Sequence, residues 1–494
     1  MSIYQTVQDF INIALENGTI EPLDEIYTRN QLLHFVGIHD WKNVEHNFEK
    51  KDSLYLMDEL LEVARKNNVF ETNEREFYEA ALMNFITPHP AKINQDFWEK
   101  YKESPEEATD YFYSLAKQVN QVKTRELEKN IAYYHTTRYG DLQITINLSK
   151  PEKDSKTIAA AKLMKESEYP ICQLCVENEG FYGIDNKAAR SNHRMIRMSL
   201  NGQQWDFQYS PYAYFNEHSI LLNEKHTPMV INKRSFSNLL EFLDLFPQYT
   251  IGSNADLPIV GGSILTHDHY QAGKNGFPMA KASLREKIVL SKFSNLQMGI
   301  VDWPLSVFRL KGSDKIELLD AADDILKKWR IYSDESLSIR AKDIDGTQHH
   351  TITPIARIRD GLYELDLVLR DNNVSKQFPE GIFHPHRKLH HIKKENIGLI
   401  EVMGMAILPA RLKSELFEVE KYLLNQENQI SEIHRPWAEQ LKKSEKFTEN
   451  NVHEKVQQEV GKVFEEVLQD AGVFKDDEQG KAGIHRFIDF INMD

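Results

Sequence analysis

The chain is 494 residues long, 41% apolar and 10% aromatic, enough for several domains with sizeable cores. Its 60 basic and 75 acidic residues leave a formal charge of −15, which argues against a nucleic-acid backbone or an anionic membrane as main partner. A phosphorylated small molecule stays open, because local donors outweigh charge lying beyond a screening length of about 8–10 Å.

Met1 to Phe10 has neither a basic head nor a continuous apolar run, and the most apolar stretch, Gly398 to Ala410, is interrupted by Glu401 and too short to span a bilayer. A cytoplasmic protein is expected, with no membrane or nucleic-acid partner. The only two cysteines sit in one Cys-x-x-Cys, so no disulfide framework is available.

Residues 1–130 read as a helical domain: Val7, Phe10, Ile11 and Ala14 recur at helical spacing, as do Leu54, Met57, Leu60, Leu61 and Ala64. Asp52-Ser53 is a plausible cap for the second run. Thr87-Pro88-His89-Pro90 breaks the pattern as a loop, and its His89 reads as structural or solvated more readily than as a ligand contact. From Ile131 the pattern becomes that of a sheet, with Leu142 to Leu148 alternating.

Cys172 and Cys175 lie in a short turn followed by Gly180 and Gly183, where a metal knuckle would sit. Three readings stay open: half of a zinc site, a redox dithiol, or two buried thiols. No thioredoxin-like Trp or Pro-flanked helix start accompanies them, which weakens the second. Zinc would need two more ligands, histidines or carboxylates, since no cysteine remains. Phe236, Leu239, Leu240 and Leu243 then form a helix ending at Pro247.

The segment Gly261-Gly262-Ser263-Ile264-Leu265-Thr266-His267-Asp268-His269-Tyr270-Gln271 carries the chemistry. If extended, it places His267, His269 and Gln271 on one face and Asp268 and Tyr270 on the other. The glycines remove Cβ atoms where the backbone would approach a ligand, and Ser263 adds a hydroxyl donor. A His-x-His pair serves as metal ligands, as hydrogen-bonded structural histidines, or as the seat of a nucleophile; an imidazole can attack phosphorus and leave again because the phosphoramidate is labile.

A second sheet half is expected over 301–410, with strands at Leu337 to Arg340 and Leu362 to Leu369 and a turn at Asp371-Asn372-Asn373. Its histidines, His349, His350, His384, His386, His390 and His391, define no single ligand set, and Arg387 and Lys388 suit a sugar phosphate. Residues 411–494 read as charged surface helices, with Asp476-Asp477-Glu478 a solvated face.

Gly-x-Ser followed by His-x-His-x-Gln, Met83-Asn84-Phe85-Ile86-Thr87-Pro88-His89-Pro90, Cys172-Gln173-Leu174-Cys175 and the His384 to Arg411 stretch together resemble the galactose-1-phosphate uridylyltransferases, in their second, Gram-positive-type branch. The resemblance covers nearly the whole chain. It implies an α+β fold of two duplicated histidine-triad-like antiparallel sheet halves, 131–300 and 301–410, between the N-terminal helical domain and the C-terminal helices. It implies transfer of UMP from UDP-glucose to galactose-1-phosphate by double displacement through a uridylyl-histidine at His269, in a homodimer without organic cofactor.

Gln271, Ser263 and Asn254 would contact the phosphates; the spacing from Asn254 to Gly261 is one residue longer than in relatives, and a plain turn asparagine is the alternative reading. Cys172 and Cys175 would share a structural zinc with His226 and His267, His226 being preferred to His218 because a linker and a helix follow it. The other branch's hexose-contacting Val-Gly-Tyr-Glu is replaced here by Met403-Gly404-Met405-Ala406, so hexose contacts do not carry over. A nucleotidyl hydrolase and a nucleotide-sugar sensor are the rival functions.

Overall fold

A computed structural model describes residues 2–44, 51–149, 169–184, 186–262 and 264–493. The architecture is α+β, as expected. The chain divides into two compact units, one of residues 1–125 with 152–227, the other of 126–151 with 228–494. Among the described residues no helix is long and apolar enough to cross a membrane.

The first unit contains α1 (Ile3–Glu16), α2 (Glu25–Phe35), α3 (Ser53–Lys66), α4 (Arg75–Met83), α5 (Pro90–Tyr101) and α6 (Pro105–Gln118). The stripe of Val7, Phe10, Ile11 and Ala14 is fully buried and α1 packs on α3. Asp52 caps α3 by accepting from the Leu54 amide at 2.9 Å. Pro90 opens α5 at its first turn, where a missing N–H costs no helical bond, and His89 just before it is exposed.

The second unit opens with β1 (Ile131–Thr137) and β2 (Gly140–Ile146), an antiparallel hairpin. The first unit then resumes with β3 (Ile196–Leu200), β4 (Gln203–Tyr209) and β5 (Ser219–Asn223), an antiparallel meander. Phe97 and Phe112 of its helices pack on Phe207 and Tyr209 of β4, Phe112 and Tyr209 with ring centres 5.0 Å apart.

The rest of the second unit comprises α7 (Lys233–Leu245), β6 (Thr250–Gly252), β7 (His269–Gly273), β8 (Leu284–Ile288), β9 (Gln297–Val301), β10 (Val307–Gly312), α8 (Lys315–Trp329), β11 (His350–Arg359), β12 (Leu362–Asp371), β13 (Met405–Leu408), α9 (Leu412–Leu423), α10 (Arg435–Ser444), α11 (Val452–Ala471) and α12 (Glu478–Asn492). β13 joins β2 in parallel, completing a small sheet. The large sheet of this unit runs β7-β6-β11-β12-β10-β9-β8, every neighbouring pair antiparallel.

Register fixes what each face carries. One row reads Ala272, Ile251, Ala356, Leu365, Leu310 and Met298, wholly apolar, on the face that α7 and α8 cover. The next row reads Gln271, Gly252, Ile355, Asp366 and Arg309, on the opposite face. Arg309 holds both oxygens of Asp366, at 2.7 and 2.9 Å, and Arg357 adds a contact at 2.7 Å, so this buried carboxylate is ionised despite burial.

Three sequence expectations are corrected here. Leu337 to Arg340 is not a strand: Glu335–Leu337 is a 3₁₀ turn and Ser338 is left-handed at φ 59°. Asp334 captures the Ser336 amide at 3.2 Å, and such a local side-chain bond competes with a ladder. The extended backbone of the His-x-His segment begins only at His269, His267 lying in a bend.

Asp476-Asp477-Glu478 is no mere solvated face. Asp477 caps α12 through the Gly480 amide at 2.7 Å, and Asp476 pairs with Arg138, Arg285 and Lys481. The C-terminal helices are charged outside, yet Leu416, Val419, Val456, Val460 and Val467 form buried stripes.

Candidate active site

His269 opens β7 and is buried. Its Nδ1–H donates to the main-chain carbonyl of His267 at 2.7 Å. That bond fixes the tautomer and leaves the lone pair on Nε2. Burial pushes the imidazole down to about 4, so the ring is neutral at pH 7. A neutral imidazole with one committed nitrogen and one free lone pair is a nucleophile.

Gln271 follows on the same face of β7, half-buried, opposite Gly252 of β6. Tyr270 points the other way, its hydroxyl accepting from Asn238 of α7 at 3.0 Å. Ser263 lies outside the described residues.

The two glycines before it serve the fold itself: a Cβ on Gly261 would lie 2.4 Å from the Ala255 carbonyl oxygen, and one on Gly262 would lie 2.4 Å from Asn254 Nδ2. Asn254 is buried, and its Oδ1 accepts from the Leu399 amide at 2.9 Å. An ordinary turn asparagine would bond within its own turn; this one reaches across 145 residues.

Sequence reasoning missed Arg370. It stands on the β12 face continuous with His269 and Gln271, fully buried, with Nη1 on Thr353 at 3.3 Å and Nη2 on the Ile397 carbonyl at 2.8 Å. Alternation within β12 was the only signal that could have placed it there.

In the first unit Cys172, Cys175 and His226 come together. Cys175 Sγ is 3.1 Å from His226 Nδ1 and 3.5 Å from Cys172 Sγ, and the two cysteines form no disulfide. Asn178 Nδ2 donates to the carbonyls of Cys172 and Cys175, each at 2.8 Å, and the amides of Cys172 and Leu174 point at sulfur, each at 3.3 Å. This is the knuckle expected around a metal.

Burial pushes the Cys175 thiol up to about 11, so a cation is needed to hold it as a thiolate here. Two thiolates and an imidazole suit zinc. His218 is elsewhere, its Nδ1 accepting from the Tyr214 amide at 3.3 Å. His267 is buried and belongs to the second unit.

The second-half histidines are engaged separately. His349 bonds Asn372 at 2.7 Å, His350 lies between the Trp329 carbonyl and Asp371, and His384, His390 and His391 each bond a nearby carbonyl. His386 faces Asp470 at 3.2 Å. Among the described residues no three of these histidines form a metal cluster. Arg387 and Lys388 are exposed and paired with Glu380 and Glu466.

Comparison with known proteins sets this geometry in context. Residues 18–228 match the family described as galactose-1-phosphate uridyl transferase, N-terminal domain, and residues 241–439 match its C-terminal domain. The chain belongs to this family. It is 71% identical to the galactose-1-phosphate uridylyltransferase of Lactococcus lactis subsp. lactis over 492 residues, covering 100% of both chains. The enzyme of that name from Enterococcus faecalis is 53% identical, with 98% of each chain covered. Among solved structures, yeast Ap4A phosphorylase is similar at a TM-score of 0.32 and 10% identity over 64% of this chain and 86% of that one, a slight likeness of fold alone. The family is one of nucleotidyltransferases.

Proposed function

We propose that the chain transfers UMP from UDP-glucose to galactose-1-phosphate by double displacement. The observation that carries this reading is the His269 Nδ1–H bond to the His267 carbonyl, which commits Nε2 to attack. His269 Nε2 attacks the α-phosphorus in line, the phosphoanhydride bond breaks, and glucose-1-phosphate leaves with the bonding pair. A phosphate oxygen of galactose-1-phosphate then attacks the uridylyl-histidine, forming UDP-galactose and returning the free imidazole.

Both leaving groups are phosphates of similar basicity, so general-acid assistance is minor and the protein's task is alignment and charge stabilisation. Gln271, on the face of His269, donates to a phosphoryl oxygen, and the Asn254 amide does the same. Ser263, from sequence, is a third donor.

His267 joins Cys172, Cys175 and His226 as the fourth ligand of a structural zinc. Such an ion would supply no chemistry to the transfer and would brace the main chain that receives the His269 N–H. The same reading divides the chain into a helical segment 1–130, histidine-triad-like halves 131–300 and 301–410, and helices 411–494, acting as a cytoplasmic homodimer.

The test is intact mass spectrometry after incubation with UDP-glucose alone. One added uridylyl group, discharged by galactose-1-phosphate and absent in His269→Gly, is expected. Turnover without an adduct, or release of free UMP without an acceptor, would refute double displacement and indicate direct transfer or hydrolysis.

A further inference from the structure

Three successive main-chain groups beside the candidate site are each held by a side chain, two of them from distant stretches of the second unit and one from the same turn. Arg370 Nη2 donates to the Ile397 carbonyl at 2.8 Å. The Gly398 amide donates to Glu401 Oε2 at 3.2 Å, and the Leu399 amide to Asn254 Oδ1 at 2.9 Å. Glu401 is fixed in turn: Lys393 Nζ donates to its Oε1 at 3.0 Å and to the Ile407 carbonyl at 3.1 Å, with the lysine side chain only 5% exposed.

The consequence falls on Asn254. The two ends of a carboxamide are alike in size and opposite in polarity, so its neighbours decide which end faces a ligand. Here the Leu399 N–H takes the oxygen, and Nδ2 falls on the side of Gly262, where only a missing Cβ leaves room for it. A donor therefore faces the loop before His269. The flipped amide would present a carbonyl oxygen instead, turning attraction for a phosphoryl oxygen into repulsion.

We propose that Lys393 and Glu401 are positioning residues for uridylyl transfer: together they hold the turn Leu399–Val402 so that the Leu399 amide orients Asn254 with its N–H groups toward the substrate phosphates. This rests on the reading of Asn254 as a phosphate contact. Neither Lys393 nor Glu401 touches substrate. Their influence passes through one hydrogen bond and one amide.

A double-mutant cycle on the full chain tests it, with Glu401→Gln and Asn254→Ala, reading the single-turnover rate of uridylyl-enzyme formation and the thermal midpoint. Glu401→Gln is expected to slow adduct formation about 10-fold in the parent and less than about 2-fold in the Asn254→Ala background, because the two act in series. Lys393→Arg, which keeps charge and donors, retains the parent rate. Equal slowing in both backgrounds would overturn the proposal and make the pair merely structural. A parent-like rate for Asn254→Ala alone would instead refute Asn254 as a phosphate contact, and the positioning role with it. If Glu401→Gln does not fold, Lys393→Met takes its place in the cycle.

Discussion

The imidazole of His269 is bonded to the main chain of His267, Nδ1 to carbonyl oxygen at 2.7 Å, so the first histidine of the motif orients the second through its backbone and not through its ring. The orienting bond belongs to the peptide and survives substitution of residue 267, whereas the proposed nucleophile is lost on substitution of residue 269. His269→Gly should lower turnover by more than about 10³-fold while far-UV circular dichroism stays that of the parent. Initial rates of glucose-1-phosphate release check it. A variant that keeps a tenth of the parent rate would remove His269 from the chemistry.

Loss of one thiol at the knuckle should act on stability before it acts on chemistry. With Cys175 pushed upward by burial, the metal-free knuckle holds that thiol neutral, and the ion's binding energy is also folding energy. Cys172→Ser, or prolonged chelation of the parent, should remove about one zinc per chain and lower the thermal midpoint by several degrees. Elemental analysis alongside calorimetry measures both. A midpoint unchanged on loss of zinc would deny the ion a structural role.

Asp206 on β4 offers a signed pH test. Burial, aided by Glu179 and Glu224, pushes its carboxyl up to about 6, against the pull of Arg197 at 3.1 Å. A raised folded value means that the native state holds this proton more tightly than the unfolded chain, where the value is about 3.9. The penalty is therefore full above pH 6 and is relieved as pH falls toward 4. Relative to Asp206→Asn, the parent should gain about 2–3 kcal/mol between pH 7 and pH 4. Urea midpoints of both proteins at the two pH values give the difference. A parent that loses ground on acidification would show that the Arg197 ion pair dominates.

Gly461 lets α11 lie against β1. A Cβ there would fall 2.2 Å from Cγ of the buried His135 ring, closer than any real contact. Alanine ordinarily favours a helix over glycine by about 1 kcal/mol, but overpacking a buried ring costs about 1–3 kcal/mol and should win. Gly461→Ala is expected to lower the urea midpoint, and His135→Ala in the same chain to recover part of the loss. Stabilisation by the single substitution would mean that the helix shifts freely on the sheet.

What was legible in the sequence follows from the range of each signal. Helical stripes such as Val7, Phe10, Ile11 and Ala14, and the alternation through Leu362 to Leu369, are local periodicities, and both appear as read. The acidic run at Asp476 was misread because charge density alone does not distinguish a solvated face from a helix cap with three cations around it. At the site, Cys172 and Cys175 announce themselves by spacing, and His269 by its Gly-Gly and Gln neighbours. The partners that orient Asn254 do not: Leu399 contributes a main-chain amide, which every residue has, from 145 positions away. Lys393 reads only as one more charge in a charged run, and Glu401 only as the interruption of an apolar stretch.

The pinning of Tyr270 to Asn238 has a further meaning. β7 meets β6 at only three registered positions, Thr250 with Gly273, Ile251 with Ala272 and Gly252 with Gln271. Side chains in a strand alternate, so a slip of one residue would bring the phenol to where the imidazole belongs and bury the imidazole against α7. The 3.0 Å bond from Asn238 adds a side-chain tie to this ladder and holds the wrong-facing neighbour down. A residue outside the proposed reaction thereby acts as a ratchet pawl for the proposed nucleophile: a strand held one residue out of step would give an inert protein of nearly native outline rather than a slower enzyme.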